Sequence, residues 1–144
     1  MTVACILKHK GSEVAHVAPT DSIAVVSALL AARRIGAVLV LDTAGQLLGI
    51  VSERDIVRVL AGQGAATLEM TAAQLMTSSL FTVTPATTVA EAMTLMTANR
   101  VRHLPVLQDG ALAGLVSIGD IVKTRIEQQA HEVDSLRAYV SGGV

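Results

Sequence analysis

Apolar residues along this chain follow two spacings that belong to different secondary structures. Ile23, Val26 and Leu30 recur every three or four positions, which predicts a helix with one buried face. The apolar runs at 37–41 and 47–51 are short and are separated by a Thr-Ala-Gly turn, which predicts two buried strands. A short extended segment precedes the first helix, and another helix follows the second run. The pattern therefore predicts a β-α-β-β-α unit.

The same pattern returns in the second half of the chain. Val89, Met93 and Met96 lie on one face of a predicted helix, and two more apolar runs follow it. Because one register is kept throughout, apart from a one-residue gap at the turn, the chain consists of two copies, 1–65 and 66–144. The short extended segments are 14–17 in the first copy and 81–84 in the second, and the paired apolar runs are 37–41 with 103–107 and 47–51 with 112–116. The aligned identities include Val17 with Val83, Pro19 with Pro85, Leu29 with Leu95, Arg34 with Arg100, Gly49 with Gly114, Ser52 with Ser117 and Asp55 with Asp120.

Polar residues mark where the predicted helices and turns begin. Ser22 and Thr88 precede the two helices, and Thr88 with Glu91 has the spacing of a capping box. The dipeptide Asp109-Gly110 predicts a tight hairpin between the last two strands. Each sheet would present one apolar face, so the expected fold is α/β (α+β), with the two copies packed sheet to sheet in pseudo-twofold symmetry.

Candidate binding residues lie where the last strand of each copy leads into a helix. The junctions contain Ser52 and Asp55 in the first copy, and Ser117 and Asp120 in the second. Free N–H groups at a helix start favour an anion, and a carboxylate one turn on accepts hydrogen bonds from two ribose hydroxyls. Ser-x-x-Asp is also a variant of the helix capping box, which requires no ligand. Both interpretations stay open, because a duplication repeats caps and sites alike.

The composition excludes several classes of protein. Among 144 residues, 11 Lys and Arg balance 12 Asp and Glu, so no overall field favours nucleic acid or an anionic membrane. The only aromatic residues are Phe81 and Tyr139, too few for the stacking platforms of single-strand binders. Cys5 is alone, and the four histidines are not spaced as ligand pairs on a helix, so no metal site is predicted.

Two further expectations concern location and chemistry. No run approaches the length of a membrane span and the first residues do not resemble a signal peptide, so the prediction is a cytoplasmic protein with no membrane contact. The sequence contains neither a phosphate-binding loop nor a nucleophile elbow, and no catalytic residue is predicted. An enzyme acting on a nucleotide remains a third, minor alternative.

The repeated unit, its Gly-x-Val-Ser-x-x-Asp junctions and the His103-Leu104-Pro105-Val106 strand resemble tandem CBS domains, the cystathionine-β-synthase-type repeats that pair into a Bateman module. The likeness covers nearly the whole chain and is nearest to stand-alone bacterial CBS pairs. The resemblance implies a non-enzymatic regulatory module, such as an energy sensor. It would bind AMP, ADP or ATP, or else NAD(H) or S-adenosylmethionine, in clefts between the repeats, with no obligatory cofactor.

The resemblance also implies roles for particular residues. Asp55 and Asp120 would hold ribose hydroxyls, and Ser52 and Ser117 would lie beside the ribose or phosphate. The backbone near four further residues would wall the adenine pockets; these are Val17, Ala37, Val83 and His103.

The two sites are predicted to be unequal. Arg54 is replaced by Gly119 in the second copy, whereas Arg102 and His103 stand where the first copy has Gly36 and Ala37. We therefore expect one cation-rich site, with Asp55, Arg54, Arg102 and His103 around the phosphates, and a weaker site at Asp120. The alternatives are solvated surface arginines and a histidine with a structural role.

A long helix is predicted after Asp120, reaching about Tyr139. Its apolar residues recur at helical spacing, a pattern more typical of core or dimer packing than of a helix dedicated to a partner. With 51% hydrophobic residues, a homodimer is expected, together with an unidentified protein target. The rival function is a structural homodimerisation module whose clefts are vestigial. The apolar positions of this predicted helix are Val122, Ile126, Ala130, Val133, Leu136 and Val140.

Overall fold

A computed structural model of the chain describes residues 1–142, with side chains as far as Val140. In the first copy the elements confirm the predicted order, with a short helix in front. They are α1 (Val3–Lys10), β1 (His16–Val17), α2 (Ile23–Arg33), β2 (Ala37–Leu41), β3 (Leu47–Ser52) and α3 (Glu53–Gln63).

The second copy repeats this order after a 3₁₀ helix. Its first strand is reduced to one parallel bridge between Val83 and Val106, so the extended segment predicted at 81–84 forms no full strand. The elements are the 3₁₀ helix (Gly64–Glu69), α4 (Ala72–Leu75), α5 (Val89–Asn99), β4 (His103–Gln108), β5 (Ala111–Ser117) and α6 (Ile118–Gly142).

The predicted caps and hairpin are confirmed. Ser22 Oγ accepts a hydrogen bond from the Val25 amide at 3.2 Å, and Thr88 with Glu91 forms the complete capping box. Asp109 and Gly110 have φ values of 53° and 79°. Two consecutive positive φ angles are characteristic of the type I′ turn, whose twist matches that of the flanking strands.

The two sheets face each other across an apolar layer, as the sequence predicts. In the first sheet β2 lies between β1, which is parallel to it, and β3, which is antiparallel. The second sheet is the antiparallel pair β4–β5. Leu39 and Ile50 of the first sheet are buried against Leu112 and Leu115 of the second. Burial of these side chains holds the two copies together.

The first α-helix of each copy, here called its entry helix, packs into the core of the other copy. Val3 and Ile6 of α1 are buried in the second core, beside α5 and β4. Ala72 and Leu75 of α4 are buried in the first core, beside α2 and β2. The division 1–65 and 66–144 therefore describes the duplication, whereas the packing units exchange their entry segments.

The exchange is reciprocal and follows the pseudo-twofold relation of the copies. Gly49 of β3 lies against Met76, and Gly114 of β5 lies against Leu7. Leu7 and Met76 occupy equivalent positions, as do the two glycines. The absence of a Cβ at each glycine leaves room for a side chain from the other copy.

The final helix is longer than predicted, since α6 continues to Gly142. Every residue from 129 to 140 is exposed, so this part of the apolar stripe is not core within a single chain. Among residues 1–142 no helix has both the length and the apolar character needed to cross a membrane.

Candidate ligand-binding cleft

A cleft of about 360 Å³ opens between the two copies. Its first wall is the end of β3 and the start of α3, and its second wall is the segment after α4 together with the start of β4. Pockets for small molecules begin at about this volume. The lining residues are Gly36, Ile50, Ser52, Glu53, Arg54, Asp55, Arg58, Thr77, Ser79, Leu80, Phe81, Arg100, Val101, Arg102, His103 and Pro105.

Positive charge dominates the cleft. Four arginines line it, two from each copy, whereas the carboxylates among its described lining residues are those of Glu53 and Asp55. Two of these arginines, Arg54 and Arg102, are residues that the sequence predicted for this site. Because guanidinium groups present several donors in a fixed plane, such a cluster suits a phosphate or another multivalent anion.

Ser52 and Asp55 form the N-terminal cap of α3, in the first wall of the cleft. Ser52 accepts a hydrogen bond through Oγ from the Asp55 amide at 3.2 Å. In return, Asp55 Oδ2 accepts from the Ser52 amide at 3.1 Å and from Ser52 Oγ at 2.9 Å. The structural interpretation of the Ser-x-x-Asp motif is therefore confirmed, and it holds the carboxylate in a fixed place.

The second oxygen of this carboxylate points to a different partner. Asp55 Oδ1 accepts a hydrogen bond from the Arg58 guanidinium at 3.0 Å, one turn further along α3. The Arg58 side chain is 70% exposed, so this ion pair is well solvated. A hydroxyl pair from a ligand can therefore replace Arg58 at Oδ1 without disturbing the cap.

His103 joins the two walls of the cleft. A Cβ added at Gly36 would lie 3.4 Å from His103 Cε1, so the imidazole sits against the first copy at its glycine. Burial lowers the pKa of His103, and the positive charge of Lys10 lowers it further. The imidazole is thus neutral at pH 7 and can donate and accept one hydrogen bond each.

The equivalent junction of the second copy contains Ser117 and Asp120, in the same cap but with a different neighbour. Asp120 Oδ2 accepts hydrogen bonds from the Ser117 amide at 2.9 Å and from Ser117 Oγ at 3.0 Å. The same oxygen accepts from Lys10 Nζ at 2.7 Å, and Lys10 also donates to the Leu115 carbonyl at 2.9 Å. An ammonium group from the first copy therefore pairs with Oδ2 of this carboxylate.

Lys10 also governs the ionisation of that carboxylate. Burial by itself would raise the pKa of Asp120. Hydrogen bonds from Lys10 and Ser117, together with the charge of Lys10, outweigh burial and hold the pKa below its ordinary value. Asp120 is accordingly a paired anion throughout the neutral range.

Five of the ten predicted site residues meet in the large cleft: Ser52, Arg54, Asp55, Arg102 and His103. Ser117 and Asp120 lie apart from it, at the junction covered by Lys10. The side chains of Val17, Ala37 and Val83 are buried in the apolar cores. That the backbone near them walls an adenine pocket stays a prediction. Gly36, next to Ala37, and Phe81, two residues before Val83, line the cleft.

Four functional candidates were missed from the sequence. Arg58 was detectable, since it lies one helical turn after Asp55. Arg100 aligns with Arg34, but only the packing of the copies shows that Arg100 faces the cleft. Phe81 lies in a connecting segment and Lys10 is the last residue of α1, and the position of both depends on contacts with the other copy. Among residues 1–142, no three His, Cys, Asp or Glu side chains are grouped as metal ligands.

Comparisons with known proteins identify the same repeat. A family model described as "CBS domain" matches residues 10–62 and 72–127. A CBS-domain-containing protein of Agrobacterium tumefaciens has a structure with a TM-score of 0.84 and 44% identity, covering 86% of this chain and 92% of that one. The CBS-domain pair of protein MJ0100, in complex with 5′-methylthioadenosine and S-adenosyl-L-methionine, shares the fold with a TM-score of 0.76, 23% identity and coverage of 86% and 98%.

Among curated relatives, the mitochondrial CBS-domain-containing protein CBSX3 of Arabidopsis thaliana is 42% identical over 113 residues. The alignment covers 76% of this chain and 55% of that protein, so the chain spans about half the length of this relative. The two repeats, the sheet-to-sheet packing and the family model agree, and the chain belongs to the CBS-domain family.

Proposed function

We propose that this chain is a non-enzymatic regulatory module that binds one adenine nucleotide in the arginine-rich cleft. The observation that carries the proposal is the convergence of four arginines and a fixed carboxylate on one cavity between the copies. A nucleotide requires this combination, since its phosphates need cations and its ribose diol needs an acceptor.

The charged end of the ligand fits the open side of the cleft. Arg54 lies in the first turn of α3 and Arg102 directly precedes β4, so the two guanidinium groups approach from opposite copies. A phosphate held by both would link the copies. We infer that AMP, ADP or ATP, rather than an uncharged nucleoside, makes full use of the site, with NADH as a further candidate.

The remaining parts of the ligand fit the deeper lining. Asp55 Oδ1 would accept hydrogen bonds from the ribose hydroxyls in place of Arg58. Ile50, Leu80 and Phe81 provide apolar surface for the base, and Phe81 is 43% exposed in the free protein. An aromatic ring offers stacking worth about 1–3 kcal/mol per base. The MJ0100 CBS pair, which holds adenosine compounds in the same fold, supports this class of ligand.

The second junction would bind such ligands more weakly. Gly119 stands where the first copy has Arg54, so this junction lacks that guanidinium group. Lys10 pairs with Asp120 Oδ2 at 2.7 Å and donates to the Leu115 carbonyl, so a ligand at this oxygen would have to displace both contacts. The proposal is therefore one strong site per chain, as the unequal charges of the two copies predict.

Binding between the copies gives the module a means of signalling. A ligand shifts a conformational equilibrium only by its differential affinity for the two states. The proposed cleft lies between the copies, so a change in their spacing alters its affinity directly. An unidentified protein target would respond to that change. The cytoplasmic location stays a prediction, since one relative is named as mitochondrial.

Thermal unfolding with AMP, ADP, ATP, NADH and S-adenosylmethionine tests the proposal. A ligand at a hundredfold excess over its Kd adds about 2.7 kcal/mol of stability. For a domain of this size the Tm should rise by roughly 5–10 °C. Calorimetric titration should give one ligand per chain, and no ligand should be turned over.

Matched arginine variants identify the cleft. Arg102→Gln removes a cleft guanidinium, whereas Arg33→Gln removes one from the exposed end of α2. A charge-assisted hydrogen bond contributes roughly 1.5–3 kcal/mol, so the first variant should weaken binding at least tenfold and the second should not. Equal effects of both variants, or no Tm shift with any ligand, would instead support the structural dimerisation module with vestigial clefts.

A further inference from the structure

The outer face of α6 has the spacing of a coiled coil. Between Val122 and Val140, five apolar residues and the polar Gln129 are separated by alternating steps of four and three residues. This spacing assigns three residues to the a positions of a heptad and three to the d positions. The a positions are Ile126, Val133 and Val140, and the d positions are Val122, Gln129 and Leu136.

This face has no partner among the residues that the structure describes. Ile121 is fully buried in the second core and anchors the start of α6, whereas the neighbouring Val122 points away from it. Ile126, Leu136 and Val140 are each more than 60% exposed. A helix of 25 residues is about 37 Å long, so its second half extends well beyond the cores. Most helical stability in proteins comes from packing of an apolar face, which indicates that this face is covered.

We propose that α6 pairs with α6 of a second copy of this chain as a parallel, two-stranded coiled coil. All three a positions hold β-branched residues and Leu136 holds a d position, the arrangement that favours two parallel strands. Gln129 is the one polar residue of the seam. In a parallel, in-register pair the two Gln129 amides lie opposite each other and hydrogen-bond. An antiparallel pair would place each amide against an apolar a residue.

Charge complementarity supports the same arrangement. Glu132 occupies a g position and Arg137 the following e position, five residues later. In a parallel pair, the g position of one helix lies beside the next e position of the other. Glu132 of each chain therefore meets Arg137 of the other chain, which gives two ion pairs by symmetry. Within one helix residues five apart are not neighbours, so this complementarity acts only between chains.

Disulfide trapping tests the register directly. In a Cys5→Ser background, which removes the only native thiol, Leu136→Cys places identical thiols opposite each other in the seam. Ala138→Cys is the matched control, since position 138 is exposed on the opposite face of the same helix turn. After mild oxidation the first variant should run as a covalent dimer and the second as a monomer. Equal cross-linking of both variants, or of neither, would overturn the proposal.

Charge exchange provides a second test that does not depend on thiols. Glu132→Arg and Arg137→Glu should each raise the dimer Kd about fivefold or more in sedimentation equilibrium. The double variant should return it to within about twofold of the original value, because the pairs re-form with exchanged partners. A dimer unaffected by any of these changes pairs through another surface and contradicts the coiled coil. Nucleotide binding, measured separately, is not expected to change.

Discussion

Asp55 and Asp120 occupy equivalent positions but have different environments. Both carboxylates accept hydrogen bonds from the serine three residues earlier, so the cap is conserved between the copies. Their third partners differ, since Asp55 pairs with Arg58 of its own helix and Asp120 with Lys10 of the other copy. A motif repeated in the sequence thus yields two carboxylates with different partners, a solvated arginine of the same helix and a lysine of the other copy. The difference arises from residues outside the motif.

Replacing Lys10 with methionine tests how strongly the second carboxylate is held. Lys10→Met keeps the aliphatic length and removes the charge. The pair is partly solvent-exposed, so the free energy of unfolding at pH 7 should fall by no more than about 1 kcal/mol. The folded pKa of Asp120 lies below its ordinary value of 3.8, so this stabilisation is present above that pH and is lost as the pH falls through the folded pKa.

Urea unfolding of both proteins at pH 7 and at pH 3 measures this effect. The difference in unfolding free energy between wild type and Lys10→Met should be smaller at the acidic pH. Lys8→Met is the control, because Lys8 lies about half a helical turn from Lys10 on α1 and takes no part in the Lys10–Asp120 ion pair. A loss that is the same at both pH values would show that Lys10 acts through its packing rather than its charge.

The site could be predicted from the sequence only in part. Ser52 and Asp55 follow from a local motif, and Arg54, Arg102 and His103 follow from comparing the copies position by position. Arg100 and Phe81 could not be assigned in this way, because they reach the cleft only when the two sheets pack together. Local spacing carries no information about which residues of another element lie opposite.

At the scale of elements, β3 and β5 each contact a segment of the other copy at a glycine. A Cβ at Gly49 would lie 2.6 Å from Met76 Sδ and 2.8 Å from the Thr77 carbonyl oxygen. That carbonyl accepts a hydrogen bond from the Ile50 amide at 3.0 Å, so it is fixed. At Gly114 the nearest atoms belong to the Leu7 side chain alone, which can rotate. The two equivalent glycines therefore differ in tolerance.

Alanine substitutions at three glycines should separate these cases. Gly49→Ala should lower the free energy of unfolding by about 1–3 kcal/mol through overpacking, and Gly114→Ala by less. Gly62→Ala is the matched control, since it lies in the α3 helix with open space around it and should raise stability by about 0.5–1 kcal/mol. Urea unfolding midpoints measure all three. A Gly49→Ala protein as stable as wild type would show that the Thr77 segment shifts freely.

At the scale of the whole molecule, the sequence predicts the elements and their layers better than the connections between them. Helix starts, strands and the hairpin follow from local patterns such as Thr88 with Glu91 and Asp109-Gly110, and the structure confirms them. The alignment also shows that the segments 2–7 and 71–76 are equivalent. It does not show that each segment enters the core of the other copy, because that depends on the long-range course of the chain.

The exchange of entry helices makes the two cores depend on each other, and this leads to a final prediction. Ile6 is buried in the second core and Leu75 in the first, with 5% and 6% of their surfaces exposed. Ile6→Ala and Leu75→Ala should each destabilise the protein by about 2–5 kcal/mol. In native-state hydrogen exchange, Ile6→Ala should reduce protection first in β4 and β5, although residue 6 belongs to the first copy. Leu75→Ala should reduce it first in β2 and β3. If each variant instead reduced protection in the sheet of its own copy, the two cores would be independent and the exchanged helices would not stabilise the core of the other copy.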